Sequence, residues 1–514
     1  MKEFVNEPAL DFSEEPHKKG MQDALSKVDS EKGKAYPLLI NGEKIMLEDK
    51  IISVNPSKKD EVIGYSSSAG IEQAELAMQC ALEAFPSWSA TTAAERVAYF
   101  DQFKKVLLAR RYEITAWIVE EGGRNFSEAY SEVAQVVDFC NSYGNGMLEY
   151  EKGIPMIQTD IEANECIYLP MGVGVVIPPW NYPLALMAGM TIAALITGNT
   201  VVLKPSSETP VVAYKFVEML MNCGIPKGVV NLVTGSGGKI GDYLVSHPKT
   251  RFVSFTGSKE VGLHISELAA KIQPDQIWIK RVIAEMGGKN AIIVDSTADF
   301  ESAADGIITS AFGFQGQKCS ACSRALIMDD IYDQFVPFLL DKISKIEVAP
   351  ARKNTMMGPV ISKSAFDKIV SYINIGKEEG KLVSGGTYDD SEGFYIAPTV
   401  FENIDPTARL GQEEIFGPVV ALMKIHSFDE GLAIANQTVY ALTGSVYSKD
   451  RTHIALAKKA FNVGNFYINR KTTGGMVNQQ PFGGYNLSGT CAKTGIKEYL
   501  TNFLLTRTIA EKLK

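Results

Sequence analysis

The sequence predicts an α/β protein in which parallel β-sheets are covered by helices. The chain has 514 residues, which is too long for one ordinary hydrophobic core and favours two or three domains. Between Val173 and Gly288, short apolar runs alternate with helical stretches, a pattern typical of a parallel sheet with helices on both faces. A second series of the same kind extends from Phe300 to about Asn469 and predicts a second α/β unit.

Short strands and long amphipathic helices precede the first series. Residues 36–45 are predicted as two strands joined by an Asn-Gly turn, because Asn and Gly tolerate the positive φ of a tight hairpin. Apolar residues spaced three and four apart predict the helices. The predicted elements are strands at 51–54 and 62–65, helices at 71–85, 93–120 and 128–150, and strands at 165–170 and 172–177.

Polar and glycine residues follow the apolar runs of the first series. A parallel sheet places ligands at the carboxyl ends of its strands, so these residues are candidates for a binding site. The runs are 173–179, 199–205, 229–235 and 252–257, with 291–294 as one more, and the strand-end residues are 178–181, 204–207, 235–237 and 256–258.

The second series has predicted strands near residues 325–328, 417–423 and 445–447. The helical segment 184–195 is interrupted by Gly189 and is predicted as a buried helix. The tail carries a strand-like segment at 501–510, which is too isolated to form a sheet of its own. It must pair with another segment, such as one of a partner subunit.

Composition and charge exclude several classes of protein. The net charge of −9 and pI of 5.4 argue against nucleic-acid binding, which normally uses a basic domain. Seven scattered cysteines fit reduced thiols and a cytoplasmic location rather than a disulfide framework. The acidic N-terminus lacks the apolar core of a secretory signal. No stretch reaches the roughly 18 apolar residues of a membrane span.

Two cysteines stand in an unusual setting between Ala311 and Arg324. Cys319 and Cys322 are surrounded by glycine and polar residues, whereas a structural cysteine normally has large apolar neighbours. The adjacent Lys318 would favour the thiolate. The stretch alone leaves four interpretations open: a nucleophile led by Cys319, a redox pair, half of a metal site, or a silent structural pair.

Other residues narrow these interpretations. Glu285 lies in an apolar and glycine-rich context, where desolvation raises a carboxyl pKa and suits it to general base catalysis; a structural salt bridge is the alternative. No histidine lies in a glycine-rich motif, and no second C-x-x-C completes a zinc site, so we predict no metal. The glycine turn at 235–241 and the hydroxyl at Ser258, together with Lys204, favour a dinucleotide over an ordinary turn.

Seven motifs follow one another along the chain: IPPWNYPL (177–184), LKPSSETP (203–210), FTGS (255–258), EMGGKN (285–290), GQKCSACSR (316–324), EEIFGPV (413–419) and QPFGG (480–484). In order and spacing, and over essentially the whole chain, this series resembles that of the aldehyde dehydrogenase superfamily.

The resemblance implies a mechanism. Cys319 would attack an aldehyde carbon, and the Asn181 side-chain amide with the Cys319 backbone N–H would hold the oxyanion. After hydride transfer, Glu285 would activate the water that hydrolyses the thioester. Cys322 is assigned to packing.

The resemblance also implies the cofactor site and the domain organisation. NAD is the expected cofactor, but Ser207 replaces the glutamate of strictly NAD-dependent members. Because a carboxylate there repels a 2′-phosphate, NADP would be tolerated, although Glu208 is adjacent. The implied cofactor residues are Ile177, Trp180, Lys204, Ser207, Gly235, Ser258, Glu414 and Phe416. The implied parts are a Rossmann-like NAD-binding domain (1–150 and 171–287), an α/β catalytic domain (288–484) and a small β oligomerisation flap (151–170 and 485–514).

The loop NRKTTGGMVNQQPFGG (469–484) and Ser320, which follows Cys319, resemble one branch of this superfamily, the Δ1-pyrroline-5-carboxylate dehydrogenases. That branch oxidises glutamate γ-semialdehyde, and a glycine-rich loop with free N–H groups would bind the α-carboxylate. Gly475 and Tyr182 stand where the branch usually has alanine and phenylalanine, so another semialdehyde or general aldehyde dehydrogenase is the alternative. The implied substrate residues are Ser320, Gly474, Gly475, Met476, Tyr182 and Phe482. A homodimer or a higher homo-oligomer is expected.

Overall fold

Two seven-stranded β-sheets form the framework of the computed structural model, which describes residues 4–513. The helices are α1 (Glu15–Glu31), α2 (Ile71–Ser89), α3 (Ala93–Ala109), α4 (Arg111–Gly122), α5 (Phe126–Tyr150), α6 (Ala185–Ile196), α7 (Pro210–Asn222), α8 (Asp242–Ser246), α9 (Lys259–Ala270), α10 (Phe300–Phe312), α11 (Asp329–Ser344), α12 (Lys363–Glu379), α13 (Arg409–Gln412), α14 (Phe428–Asn436) and α15 (Arg451–Ala460). The strands are β1 (Lys34–Tyr36), β2 (Leu38–Ile40), β3 (Glu43–Ile45), β4 (Lys50–Asn55), β5 (Lys58–Ser67), β6 (Glu162–Pro170), β7 (Val173–Ile177), β8 (Thr200–Leu203), β9 (Val230–Leu232), β10 (Phe252–Thr256), β11 (Arg281–Glu285), β12 (Asn290–Val294), β13 (Cys322–Met328), β14 (Lys381–Ser384), β15 (Tyr388–Asp389), β16 (Tyr395–Ile396), β17 (Thr399–Glu402), β18 (Val419–Ile425), β19 (Tyr440–Ala441), β20 (Thr443–Tyr447), β21 (Asn465–Ile468), β22 (Tyr485–Asn486) and β23 (Leu504–Lys512).

The segment predicted as one helix over residues 93–120 consists of two, α3 and α4. A capping box begins α3: the Thr92 hydroxyl accepts the Glu95 N–H at 3.2 Å, and the Glu95 carboxylate accepts the Thr92 N–H at 2.7 Å. Arg110 lies between the helices with φ −102° and ψ 13°, which is outside the helical range. The single-helix prediction is wrong because a break of one residue leaves the apolar spacing almost unchanged.

The first sheet has the strand order β11-β10-β7-β8-β9-β2-β3. The strands from β11 to β9 are parallel to one another, so their carboxyl ends lie along one edge. β2 and β3 form the predicted hairpin, with Asn41 and Gly42 at φ 52° and 75°. β11 was not predicted as a strand, because it follows a polar loop and begins with Arg281. It ends at Glu285 and places that carboxyl at the sheet edge.

The second sheet has the strand order β14-β17-β18-β13-β12-β20-β21. Residues 291–294, predicted as a further run of the first series, lie here in β12, between β13 and β20. That prediction is wrong because an apolar run does not indicate which sheet it joins. Gly287 and Gly288 carry the chain from the last strand of one sheet to the middle of the other.

Each sheet packs against its own core. α5 and α7 bury Phe139 and Phe216 against the first sheet. In β12, Ile292 and Ile293 are both fully buried but belong to clusters on opposite faces of the second sheet, because successive strand residues point to opposite sides. The two sheets are therefore rigid supports that meet at the β11–β12 crossover.

The tail forms a two-stranded ribbon with a segment of the same chain. β23 pairs antiparallel with β6 in a register that extends from Leu504 opposite Pro170 to Lys512 opposite Glu162. The strand-like segment of the tail is thus satisfied within the chain. Within residues 4–513, no helix is both long enough and apolar enough to cross a membrane.

Candidate active site

Two hollows meet at Cys319. The first, the strand-end cleft, has a volume of about 600 Å³ and lies at the carboxyl ends of β7, β8, β10 and β11. The second, the inner cavity, has a volume of about 480 Å³ and lies between α5 and the loop 471–477. Cys319 and Glu285 line both hollows. A molecule in either one therefore reaches the same thiol and the same carboxyl.

The Cys319 thiol is presented by a strained turn. After α10 the backbone turns through Phe314 and Gln315, whose φ angles are 50° and 54°, a left-handed conformation that bulky residues rarely adopt. The Asn290 amide then donates to the Cys319 and Ala321 carbonyls at 2.7 and 2.9 Å. Asn290 is the last residue of the motif EMGGKN, and its position at the start of β12 makes it a positioning residue for the Cys319 loop.

Glycine is required where the β11–β12 crossover passes this loop. A Cβ on Gly288 would lie 2.6 Å from the Cys319 carbonyl oxygen, and one on Gly287 would overlap the Glu414 carboxyl. The Gly288 N–H donates to Glu414 at 2.9 Å. The paired glycines therefore bring three functional segments into contact.

Cys322 differs from Cys319 in its surroundings. It begins β13, is 1% exposed, and belongs to an apolar cluster on one face of the second sheet. Its thiol contacts the Arg324 carbonyl at 3.4 Å. Both cysteines are free thiols, and only Cys319 faces a hollow that a substrate could enter.

The electrostatics of the thiol differ from the sequence-based expectation. Burial, together with the adjacent Glu285 carboxyl, raises the pKa of Cys319 well above its ordinary value. Lys318 does not favour the thiolate, because its ammonium pairs with Glu128 at 2.8 Å. The expectation placed on Lys318 is therefore wrong for this structure, and Cys319 is a neutral thiol that needs a proton acceptor.

Glu285 can accept that proton. Burial raises the pKa of its carboxyl to about 8, as predicted from its apolar and glycine context. Its Oε1 atom has no hydrogen-bond partner among the described residues. A carboxyl with a pKa near the operating pH and a free oxygen in both hollows has the properties of a general base.

Asn181 is held in the turn between β7 and α6 by contacts on both sides. Its side-chain amide donates to the Gln317 carbonyl at 3.1 Å, two residues before Cys319. Its own carbonyl accepts the Arg124 guanidinium at 3.0 Å. The amide lines the strand-end cleft and carries a second N–H, so it can stabilise negative charge beside the thiol.

Six of the eight predicted cofactor residues line the strand-end cleft, together with the glycine turn between β9 and α8. Lys204 is 5% exposed, and burial lowers the pKa of its ammonium to about 8. Ser258 caps α9, where its hydroxyl accepts the Val261 N–H at 3.3 Å. The six residues are Ile177, Trp180, Lys204, Ser258, Glu414 and Phe416, and the turn contributes Gly237, Gly238 and Gly241.

The other two predicted cofactor residues lie elsewhere. Ser207 is exposed and is not part of the lining, whereas Ser206 and Glu208 on either side of it are. Gly235 packs under the turn, where a Cβ would lie 2.6 Å from the Ile240 side chain. The sequence predicted the correct turns but not which residue of each turn faces the cleft.

All six predicted substrate residues line the inner cavity: Ser320, Gly474, Gly475, Met476, Tyr182 and Phe482. Gly474 has φ 74°, which permits the turn that exposes backbone N–H groups of the loop. Tyr182 lies 4.3 Å from the Arg124 guanidinium, measured to the ring centroid, and Arg124 is paired with Glu132. The aromatic wall of the cavity is thus fixed by a buried ion pair.

Sequence reasoning missed part of this cavity. Lys471, Asp138 and the N-terminal residues Glu7, Ala9 and Leu10 also line it. No local pattern marks these residues, because they are far apart in the chain and lie in a helix or in irregular segments. Only their meeting in the fold identifies them.

Comparison with known proteins assigns this architecture to a family. The model of the aldehyde dehydrogenase family matches residues 45–509. A 1-pyrroline-5-carboxylate dehydrogenase from Geobacillus kaustophilus is 52% identical over 509 residues, which cover 99% of each chain.

Two solved structures are similar to this one over almost their whole length. A Thermus 1-pyrroline-5-carboxylate dehydrogenase with bound NAD has a TM-score of 0.98, 44% identity and 100% coverage of both chains. A betaine aldehyde dehydrogenase from Staphylococcus aureus in complex with NAD+ has a TM-score of 0.89 and 31% identity, covering 96% of this chain and 97% of that one. These matches confirm the fold that the motif series implied. The chain belongs to the aldehyde dehydrogenase family.

Proposed function

We propose that this protein oxidises L-glutamate γ-semialdehyde to glutamate with NAD as the hydride acceptor. The observation that carries the proposal is the junction at Cys319, where a cleft suited to a dinucleotide meets a cavity that ends in a glycine turn. The full-length similarity to 1-pyrroline-5-carboxylate dehydrogenases supports this substrate.

The strand-end cleft fits NAD. Among the described residues, the Lys204 ammonium donates only to the Pro205 carbonyl at 3.2 Å, which leaves donors free for ribose hydroxyls. Ser258 and the first N–H groups of α9 form an anion site suited to a pyrophosphate. When bound, NAD supplies the hydride acceptor for the reaction.

The chain's own groups account for the remaining steps. Glu285 takes the proton of Cys319, and the sulfur bonds to the aldehyde carbon as the carbonyl electrons move to oxygen. Asn181 and the Cys319 backbone N–H hold this oxyanion. Loss of hydride from the carbon leaves a thioester on Cys319. Glu285 releases the proton that it took from Cys319 to solvent, and its carboxylate then deprotonates a water that attacks the thioester carbon. The C–S bond breaks to release the carboxylic acid, and the Cys319 thiolate takes the proton back from Glu285.

The inner cavity favours an aldehyde that carries a carboxylate at its far end. Gly474, Gly475 and Ser320 line the cavity, and the two backbone N–H groups and the hydroxyl can bind an anion there. The Met476 N–H instead donates to the Gln480 side-chain oxygen at 3.1 Å. The Lys471 ammonium lies beside this turn, within 3.8 Å of a Cβ position at Gly474. These groups have no use in binding a simple alkyl aldehyde.

The experiment that tests the proposal is steady-state NADH formation across aldehydes of different length and charge. Glutamate γ-semialdehyde, supplied as equilibrating pyrroline-5-carboxylate, should have the highest kcat/KM. Equal kcat/KM values for propanal would contradict the assignment.

NAD is the proposed main cofactor even though Ser207 replaces an acidic residue. Glu208 lines the cleft, so a carboxylate is present one residue later. It would bind a ribose and repel a 2′-phosphate. The same assay run with NADP should give lower kcat/KM, and Glu208→Gln should reduce the difference.

We also propose that the chain consists of three parts and that it forms an oligomer. The NAD-binding part is residues 1–150 and 171–287, the catalytic part 288–484, and the flap 151–170 and 485–514. The outer edge of β23 in the β6–β23 ribbon could extend the sheet of a second copy, and we propose a homodimer or a higher homo-oligomer. Light scattering measures this directly. The free cysteines support a reducing, cytoplasmic location.

A further inference from the structure

We propose that Asn6 is a positioning residue that holds the glycine loop in the geometry needed to bind a substrate carboxylate. The inference rests on the proposed function and deepens it. It concerns the N-terminal segment Phe4–Phe12, which lies before the residues matched by the family model.

The N-terminal segment forms one wall of the inner cavity. Glu7, Ala9 and Leu10 line it together with the loop 474–477. Phe12 anchors the segment: it is 7% exposed, and its ring lies edge-on to Phe126 and Tyr130 at centroid distances of 5.7 and 6.1 Å. The segment is therefore fixed to α5 at one end and borders the substrate space along its length.

Asn6 joins three parts of the chain through one amide. Its Nδ2 donates to Asp138 of α5 at 2.8 Å and to the Val477 carbonyl at 3.1 Å. Its Oδ1 accepts the Gln479 side-chain amide at 2.8 Å. All donors of this amide are used, and two of the three bonds are to the loop that follows Gly474 and Gly475.

Asp138 fixes the orientation of Asn6. It is 5% exposed, and its other oxygen accepts the Glu7 N–H at 2.7 Å. The N-terminal segment thus satisfies both oxygens of a buried carboxylate, and hydrogen bonds to an ionised group are stronger than those between neutral groups. This bond keeps the Asn6 amide in one orientation.

The glycine loop needs such a restraint. Gly474 and Asn478 both have positive φ, 74° and 61°, and Met476 is 42% exposed. Beyond its internal turns, the loop is held at Asn478 by the Ser142 hydroxyl at 2.9 Å and by a backbone bond from the Asn478 N–H to the Gly495 carbonyl at 2.8 Å. At Val477 and Gln479 it is held by Asn6. Without Asn6, the loop that follows Gly474 and Gly475 loses both of its hydrogen bonds to the N-terminal segment.

The test compares Asn6→Ala with the wild type on two aldehydes, glutamate γ-semialdehyde and pentanal, which has the same chain length but no carboxylate. We expect KM for the semialdehyde to rise by about tenfold to a hundredfold, with kcat largely retained. KM for pentanal and for NAD should change by less than about twofold, because these ligands do not use the glycine loop.

Two further variants separate positioning from general destabilisation. Gln479→Ala, on the exposed loop, should raise the semialdehyde KM in the same direction without lowering the melting temperature. Asn436→Ala is the matched control: it removes an amide that also bridges separate elements, through the Ala460 carbonyl and the Asn462 N–H at 2.7 and 2.8 Å, but lies in neither hollow. It should leave the ratio of the two KM values unchanged.

A rescue experiment tests the Asp138 contact. Asn6→Asp alone places two carboxylates together and should raise the semialdehyde KM at least as much as Asn6→Ala. Combining it with Asp138→Asn restores a donor–acceptor pair with the roles exchanged and should recover part of the loss.

These experiments distinguish a failure of the proposed function from a failure of the inference about Asn6. A wild-type enzyme with no preference for the semialdehyde over pentanal overturns the proposed function and this inference with it. A wild-type preference that Asn6→Ala retains, or a variant that loses both substrates equally, overturns the inference alone.

Discussion

The strand-end cleft and the inner cavity share Cys319 and Glu285, yet the chain builds them in different ways. Most of the cleft comes from residues 177–265, in the turns that follow the parallel strands β7, β8, β9 and β10 and in the adjoining helices α8 and α9. The inner cavity combines the N-terminal segment, α5 and the loop 471–482, which are far apart in the sequence. A site at strand ends can be located from local pattern, whereas a site between distant segments depends on how they pack.

The two hollows also differ in what holds them. The cleft rests on β7, β8 and β10, which are hydrogen-bonded to one another in one sheet. The glycine loop of the cavity rests on side-chain hydrogen bonds such as those of Asn6 and Ser142. Substitutions at the junction should therefore abolish all activity, while those in the loop should change substrate preference alone.

Cys319→Ala should have the largest effect. Removal of the nucleophile should lower kcat by about 10⁴-fold or more, while NAD binding measured by fluorescence quenching stays intact because the cleft is unchanged. Cys322→Ala is the control: it removes a buried thiol outside both hollows and should retain turnover. Substantial activity in Cys319→Ala would contradict the mechanism.

Glu285→Gln should have the next largest effect on turnover. The amide cannot accept a proton, so steady-state turnover should fall by about 10²–10⁴-fold. Because the pKa of Glu285 is raised to about 8, the wild-type rate should increase as pH rises through that value. Rates measured between neutral and alkaline pH should show this rise in the wild type only; a flat wild-type profile would exclude Glu285 as the base.

Asn181→Ala should have the third largest effect. It should lower kcat by about 10²–10³-fold, the usual effect of removing one oxyanion donor. The loss should be similar for every aldehyde, since the oxyanion is common to all of them. Single-turnover NADH formation measures the step directly. A loss confined to one substrate would place Asn181 in substrate binding instead.

Gly474→Ala should have a smaller and selective effect. A Cβ at φ 74° costs about 1 kcal/mol of backbone strain, which the loop can relieve only by moving. KM for the semialdehyde should increase by roughly fivefold to tenfold, with little change for pentanal. Gly237→Ala in the glycine turn is a useful comparison because it should affect KM for NAD instead.

The smallest effect concerns stability. The pKa of Glu285 is raised from 4.5 to about 8 in the folded protein, so the folded state binds the proton more tightly than the unfolded state. Folding stability contributed by this group is therefore lost as pH rises between these values. Glu285→Gln should weaken the pH dependence of the melting temperature in this range; an unchanged dependence would show that the carboxyl is ionised in the fold.

Much of the first sheet and the cleft was predictable because the signals are local. The strands β7, β8 and β10 appear as short apolar runs, and the residues after them are polar or glycine. The errors came where local pattern is silent: β11, the break at Arg110, and the placement of residues 291–294 in the second sheet. A run of apolar residues reports that it will be buried, not against which neighbour.

The electrostatic predictions also succeeded where the cause is local in the sequence and failed where it is distant. The raised pKa of Glu285 followed from its apolar context, but the effect expected of Lys318 on Cys319 did not hold. Glu128, which pairs with Lys318, is 190 residues away in the chain. No property of the cysteine stretch reveals that partner.

By itself, the sequence determined the α/β class, the order of the strand-end turns and the identity of a cysteine in a glycine-rich setting, because these depend on residues close together in the chain. The tertiary structure alone decided that Cys319 stands at the junction of two hollows and that Cys322 is buried in a core. It also decided that the N-terminal segment closes the inner cavity. Those outcomes depend on contacts between segments separated by hundreds of residues, and burial, charge pairing and cavity shape arise only when such segments meet.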